Sequence, residues 1–406
     1  MHRFTLTFLV LCLAGSVPGQ ASEAFMAERW TLEAFTDALG GGPATGPVAL
    51  ARGRVDTLCG DAAGNRFLAG DQFIDIVTPA GQRRHLAGSG EPGFRNGPAH
   101  QAAFRMGIGS YYSLYDLACT ADGDLFVADS GNARVRRVFR GDDGWRVETW
   151  AGGGKTRLGP GMDARPAEVE LPATMALAAL PDGTLLIATS QGYLSVDPDG
   201  RRIRHGARWP DSLALPGKGY VHLNPVAGDA DRSGQAYFLS RGPDVVVAVA
   251  PSGETRHLAG IVRARPPKPH HIGDGPPREV FLDATMSLAA DPAGRAVYVC
   301  GGDEYDIRRI PTDGETHTAT LMQNGRWYRA SVHPNRSRGG AVFRPGRDGR
   351  LDPDGKLDIL LVAPLAGRDY DGVLYGRLNH WSGMSQYVEG RGLLPTRVFR
   401  IRPERP

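Results

Sequence analysis

The side chains in this chain that could do chemistry are scattered along it. Asp56, Asp116 and Asn224 each stand at the opening of an apolar run, with Tyr115 next to Asp116. Brought around one axis, their oxygens would suit an oxygen-ligated cation such as calcium; a polar channel filled with water is the plainer reading. His222 and His333 share a Val-His-x-Asn context, and His270 and His271 are adjacent. Imidazoles can hold zinc, but the sequence has no His-x-His or His-Glu-x-x-His spacing, so surface or core-capping roles fit better. The densest group of aromatic and charged residues is Arg368, Asp369, Tyr370, Asp371, Tyr375, Arg377, His380, Trp381 and Tyr387. Such a group can stack on and hydrogen-bond a ligand, or plug a channel that would otherwise stay wet.

Other chemistries find no support. The segment RDGRLDPDGKLD (347–358) lacks the spacing and terminal Glu of an EF-hand, and its Asp and Gly are those of a turn. There is no nucleophile elbow, P-loop or dinucleotide fingerprint. A formal net charge of +3 on 406 residues, with no basic run interleaved with aromatics, argues against nucleic acid as a partner.

The first residues read as an export signal: His2 and Arg3, then an apolar run over 4–14, then small residues ending in Gly19-Gln20-Ala21. Cleavage is expected after Ala21, giving a secreted or periplasmic protein. No later run reaches the ~20 apolar residues of a membrane-spanning helix. Cys12 leaves with the signal, so Cys59, Cys119 and Cys300 remain. Small buried thiols are the expectation for these three, with a Cys59–Cys119 bridge as the alternative.

Gly 55 and Pro 30, beside 41% hydrophobic residues, favour many short strands joined by turns over long helices. A search for internal periodicity singles out LYDLACTADGDLFVADSGNARVRRV over 114–138. It resembles the NHL repeat, with Asp129, Asn132, Arg134, Arg136 and Arg137 on the matching positions. The preceding LAGSGEPGFRNGPAHQAAF (86–104) resembles the segment that joins NHL blades. Weaker copies in phase lie at 56–77, 175–196, 226–249 and 286–310, each pairing two apolar runs across a Gly-containing turn. The resemblance implies an all-β, six-bladed propeller over 47–406, preceded by an N-terminal extension at 22–46. In that extension Phe25, Trp30 and Phe35 are spaced for a short amphipathic helix.

Leu86-Ala87-Gly88, Trp150-Ala151-Gly152 and Leu258-Ala259-Gly260 end three outer strands, and Leu50-Ala51-Arg52-Gly53 repeats the pattern ahead of the first blade. Residues 48–53 are therefore expected to complete the last blade, whose second and third strands would be 357–364 and 396–401. That closure would leave no unpaired edge at the seam. About 365–395 would form an insertion in the sixth blade.

In a four-stranded blade, the loop entering the inner strand and the loop joining the second strand to the third emerge on one face. The long segments 89–113, 153–173, 207–220 and 261–284, together with the insertion, are thereby expected at one mouth. Turn alignment places Asp56, Tyr115 with Asp116, Met175, Asn224 and Met286 near the start of the channel. The ligand-binding candidates are Asp56, Tyr115, Asp116, His222, Asn224, Arg368, Tyr370, His380 and Trp381. Relatives of the NHL propellers, the peptidyl-amidoglycolate lyases, hold zinc by mouth histidines, but the histidines here do not fall in their matching motifs.

The function expected is that of an exported module, monomeric, binding a peptide, glycan, protein or small molecule through the loop-rich mouth. The alternative is a metal-dependent lyase or hydrolase with calcium or zinc at the channel mouth and Asp56, Tyr115, Asp116 and His222 beneath the insertion. Fold alone does not choose between them.

Overall fold

The computed structural model describes residues 56–70, 72–80, 82–106, 116–214, 221–262, 275–282, 285–301, 306–316 and 318–322. It also describes the strands Leu6–Thr7, Trp30–Ala34, Leu365–Arg368, Leu374–Arg377, Tyr387–Val388, Gly392–Leu393 and Val398–Pro403, and residues 370 and 371.

The chain forms a β-propeller of antiparallel blades in sequence order. The first blade comprises Thr57–Gly60, Arg66–Gly70, Phe73–Val77 and Arg83–Ala87. The second comprises Leu117–Cys119, Leu125–Asp129, Arg134–Gly141 and Gly144–Gly152, and the third Ala176–Ala179, Leu185–Ala188, Gly192–Val196 and Ile203–Arg208. The fourth comprises Pro225–Ala230, Ala236–Ser240, Val245–Val249 and Thr255–Ala259. The fifth comprises Thr285–Ala290, Ala296–Gly301, Asp306–Pro311 and Ala319–Met322. Each blade packs both faces on its neighbours, so a middle strand can be apolar throughout rather than alternating, as in the wholly buried Leu185–Ala188 and Val245–Val249.

There are five blades, not the six expected. Leu365–Arg368 pairs in parallel with the first blade's inner strand, Gly367 against Leu58, and carries Leu374–Arg377, Val398–Pro403, Trp30–Ala34 and Leu6–Thr7 into the same nine-stranded sheet. The close approach explains the merger: a Cβ on Gly367 would collide with the Leu58 carbonyl oxygen, so only glycine lets the two backbones bond. The N-terminal strand beside Val398–Pro403 is Trp30–Ala34, where a short helix was expected. Residues 48–53 and 357–364, the expected closing strand and second strand of a sixth blade, lie outside the described residues.

The Leu/Trp-Ala-Gly endings have one cause. Gly88, Gly152 and Gly260 all adopt φ between +90° and +97°, and a Cβ there would collide with the carbonyl oxygens of Gln72, Ala133 and Asp244, each just ahead of the preceding strand. Past these glycines the inter-blade segments turn inward and become core. Ala99, Ala102, Phe104 and Met106 pack between the first and second blades, Val169 and Leu171 between the second and third, and Val280 and Leu282 between the fourth and fifth. Gly152→Ala is expected to cost about 1–3 kcal/mol through forced positive φ, measured as a lower urea midpoint at unchanged m-value.

The NHL-like residues of the second blade fasten its inter-blade segment. The buried Asp129 carboxylate receives Arg136 Nη1 at 2.7 Å, Asn132 Nδ2 at 2.9 Å and the Arg105 N–H at 2.7 Å. Arg136 in turn donates to the carbonyls of Ala103 and Arg95 and to Asn96 Oδ1. Its guanidinium lies 4.7 Å from the Phe94 ring centre and 5.3 Å from that of Phe104.

Candidate functional site: the central channel

The inner strands surround a cavity of about 160 Å³ lined by all five blades and by Gly367, Arg368 and Tyr370. Its walls carry Asp56, Asp116, Asp229 and Asp231 against two cations, Arg232 and Arg368. Side chains two apart on a strand share a face, and in four of the five blades a residue seven or five places before the turn glycine lines the channel. Asp116 precedes Gly123 by seven and Ser287 precedes Gly294 by seven, while Asp229 precedes Gly234 by five.

Asp116 and Asp229 each link two blades. Asp116 Oδ1 accepts the N–H of its neighbour Leu117 at 3.1 Å, and Oδ2 accepts the N–H of Leu177 on the next blade at 2.6 Å. Asp229 repeats the arrangement with Ala230 at 2.8 Å and Ala290 at 2.9 Å, again one blade onward. Here the two sites diverge. Arg368 reaches Asp229 with Nε to Oδ2 at 2.7 Å and Nη2 to Oδ1 at 2.9 Å, a two-pronged ion pair, and also donates to the Ala230 carbonyl. No described cation pairs with Asp116. Burial pushes its carboxyl well above the usual carboxylate range, against the pull of the Leu177, Leu117 and Gly228 N–H groups, and the Asp229 charge adds to the rise.

Arg232 is held near the same end as Arg368. Its guanidinium lies 4.6 Å from the Tyr370 ring centre, donates to the Tyr370 carbonyl at 3.2 Å and stands 3.5 Å from Asp371. Asp231 is occupied by its own turn, accepting from Ser233, Gln235 and the Tyr237 hydroxyl. Across the wall, Cys59 and Cys119 form a disulfide between the inner strands of the first and second blades, with Cα atoms 5.8 Å apart. The expectation of three buried thiols is thus corrected. The bridge forms because the two inner strands run side by side at the axis. Cys300 is a buried thiol outside it.

The candidates from sequence separate into groups. Asp56, Asp116, Arg368 and Tyr370 line the cavity, and Asp56 is buried with its N–H on the Ala69 carbonyl. His222 is exposed and Asn224 half-buried in the strand's approach, and neither lines the cavity. Asp56, Asp116 and Asn224 are accordingly not brought together, and no three His, Cys, Asp or Glu among the described residues are placed to hold a metal. Met175 is buried in the core between the second and third blades. Tyr115, His380, Trp381, His270, His271 and His333 lie outside the described residues. Arg368 and Tyr370 sit where an inner strand turns into Leu374–Arg377, beside the fourth blade's turn. They therefore belong to the end of the channel where the short turns are. Asp229 and Ser287 were not singled out from sequence, and counting back from Gly234 and Gly294 is the signal that finds them.

No protein family and no curated protein matches the chain. Among solved structures it is similar to an auxiliary nutrient binding protein from Bacteroides thetaiotaomicron, with TM-score 0.50 and 12% identity over 87% of this chain and 70% of that one. A second auxiliary nutrient binding protein, from Bacteroides ovatus, gives TM-score 0.45 and 14% identity over 86% and 70%. Virginiamycin B lyase from Staphylococcus aureus gives TM-score 0.40 and 10% identity over 85% and 78%. Similarity at this level of identity concerns the architecture alone: the chain has the β-propeller fold.

Proposed function

We propose that this chain is an exported binding module that holds a small polar ligand in its central channel. The observation that carries the reading is the 160 Å³ cavity, whose walls carry the buried Asp56 and Asp116 together with Asp229, the last paired with Arg368. A concave site with a few convergent polar groups on a rigid scaffold is what ligand binding requires. Inter-blade segments that might have formed a broad mouth for a macromolecule instead spend their apolar residues between blades, which favours a small ligand over a large partner. The name of the Bacteroides thetaiotaomicron protein, a nutrient binding protein, accords with a binding role. Export is supported by the N-terminal sequence and by the Cys59–Cys119 disulfide, since such bridges persist in oxidising compartments.

The test is calorimetric titration of the purified protein with monosaccharides, amino acids and small amines. At least one class should bind at one site per chain, and Thr57→Phe, which places a ring in the channel, should abolish that binding. The reading fails if no class binds, or if binding survives Thr57→Phe.

A further inference from the structure

The channel's polar groups specify more than a polar ligand. The two guanidiniums on its wall are both committed, Arg368 to Asp229 and Arg232 to Tyr370 and Asp371, so an anionic ligand would find its matching charge already taken. Asp116 presents the opposite situation. It is 6% exposed, held by the Leu117 and Leu177 N–H groups, and no described cation pairs with it. The Gly228 N–H also reaches its carboxylate, and of the four or so acceptor positions of a carboxylate about one is left for a further donor.

A second, independent observation comes from the fifth blade. Ser287, the counterpart of Asp116 in turn register, is 8% exposed and lines the same cavity, and its Oγ has no hydrogen-bond partner among the described residues. A buried hydroxyl left unmade costs free energy that a bound donor or acceptor would recover. A carboxyl without a cation and a hydroxyl without a partner, on blades two and five of one cavity, ask for a ligand that carries positive charge and several N–H donors.

Building on the proposed function, we infer that the channel's ligand is a small primary ammonium compound, its charge set against Asp116 and one N–H donated to Ser287 Oγ. An ammonium group offers three donors, enough for both residues at once. The cavity holds about five waters' worth of volume at about 30 Å³ each, so the compound is compact. A neutral polyol would satisfy Ser287 but give the buried Asp116 carboxyl nothing that favours its ionised form. A quaternary ammonium would match the charge but give Ser287 no donor.

Three probes that share a hydroxyethyl arm read these differences in calorimetric titrations near neutral pH: ethanolamine, ethylene glycol and choline. Ethanolamine should bind the wild-type protein at least tenfold more tightly than either of the others. Asp116→Asn should weaken ethanolamine at least tenfold, the range expected for a buried charge-assisted hydrogen bond. Because that variant also disturbs a link between blades, Ser287→Ala provides the second reading: ethanolamine weakened several-fold, with no fall in melting temperature, since the lost hydroxyl held nothing in the empty protein. Equal affinity for ethanolamine and ethylene glycol would overturn the inference, as would equal affinity for ethanolamine and choline, or ethanolamine binding untouched by Ser287→Ala. If monosaccharides bind in a manner sensitive to Thr57→Phe while amines do not, the ligand class is wrong and the channel site stands. If nothing binds, both fail.

Discussion

Replacing Arg136 by methionine is expected to lower the unfolding free energy by about 3–5 kcal/mol, because it removes one member of a buried ion pair and strands the other. Both side chains of the Arg136–Asp129 pair are fully buried. The methionine would fill much of the volume, yet Asp129 would keep only Asn132 and the Arg105 N–H, and the Ala103 and Arg95 carbonyls would each lose one of their two donors. The neighbouring Arg137 supplies the internal control. It pairs with Asp124 and Glu148 at the half-exposed face of the same strand, and Arg137→Met should cost about 1 kcal/mol or less. Urea denaturation of the two variants separates the cases. Similar small losses would show that the NHL-like signature does not hold the inter-blade segment. Amide exchange should locate the damage, with protection falling first around 93–105, the stretch that Asn132 and Arg136 tie down.

The second large effect belongs to the disulfide. Cys59 and Cys119 are separated by 60 residues, and closing a loop of that size restricts the unfolded chain by about 4 kcal/mol in the chain-entropy account. The double variant Cys59→Ser/Cys119→Ser should lose about that much, and dithiothreitol should lower the wild-type melting temperature while leaving the double variant's unchanged. A wild-type melting temperature indifferent to the reductant would contradict the bridge. Since both sulfurs belong to residues on the cavity wall, loss of the bridge should also loosen the seam between the first two blades and weaken whatever the channel binds.

Much of the propeller was legible because each blade carries a local signal of two apolar runs and a turn with glycine at positive φ, joined in three blades by a repeated Gly where the outer strand ends. The second blade was the most readable, and its diagnostic Asp129, Asn132 and Arg136 turned out to be fasteners rather than functional groups. What could not be read locally is pairing over long distance. Nothing near Trp30 announces that its strand will lie beside Val398–Pro403, and spacing alone suggested a helix. Nor does Gly367 announce a parallel contact with Leu58, the contact that turns the expected sixth blade into an extension of the first. The channel was half legible. Asp116 drew notice as a carboxylate at a strand start, but Asp229 sits two residues deeper in a longer strand, and Ser287 is a small hydroxyl inside an apolar run. Asn224 and His222 share the same stretch of chain as Asp229 yet stop short of the cavity, since the approach to that strand runs outside it.

The parallel contact between Gly367 and Leu58 also sets a schedule. The two residues are about 310 positions apart, and at synthesis rates of about 5–20 residues per second the inner strand of the first blade must wait roughly 15–60 seconds for its partner to exist. Through that interval the strand's outer edge is a row of unclaimed peptide groups, open to the wrong neighbour. Whatever accompanies the nascent chain has its critical task early, at the first blade, although the event that ends the danger comes about 310 residues later.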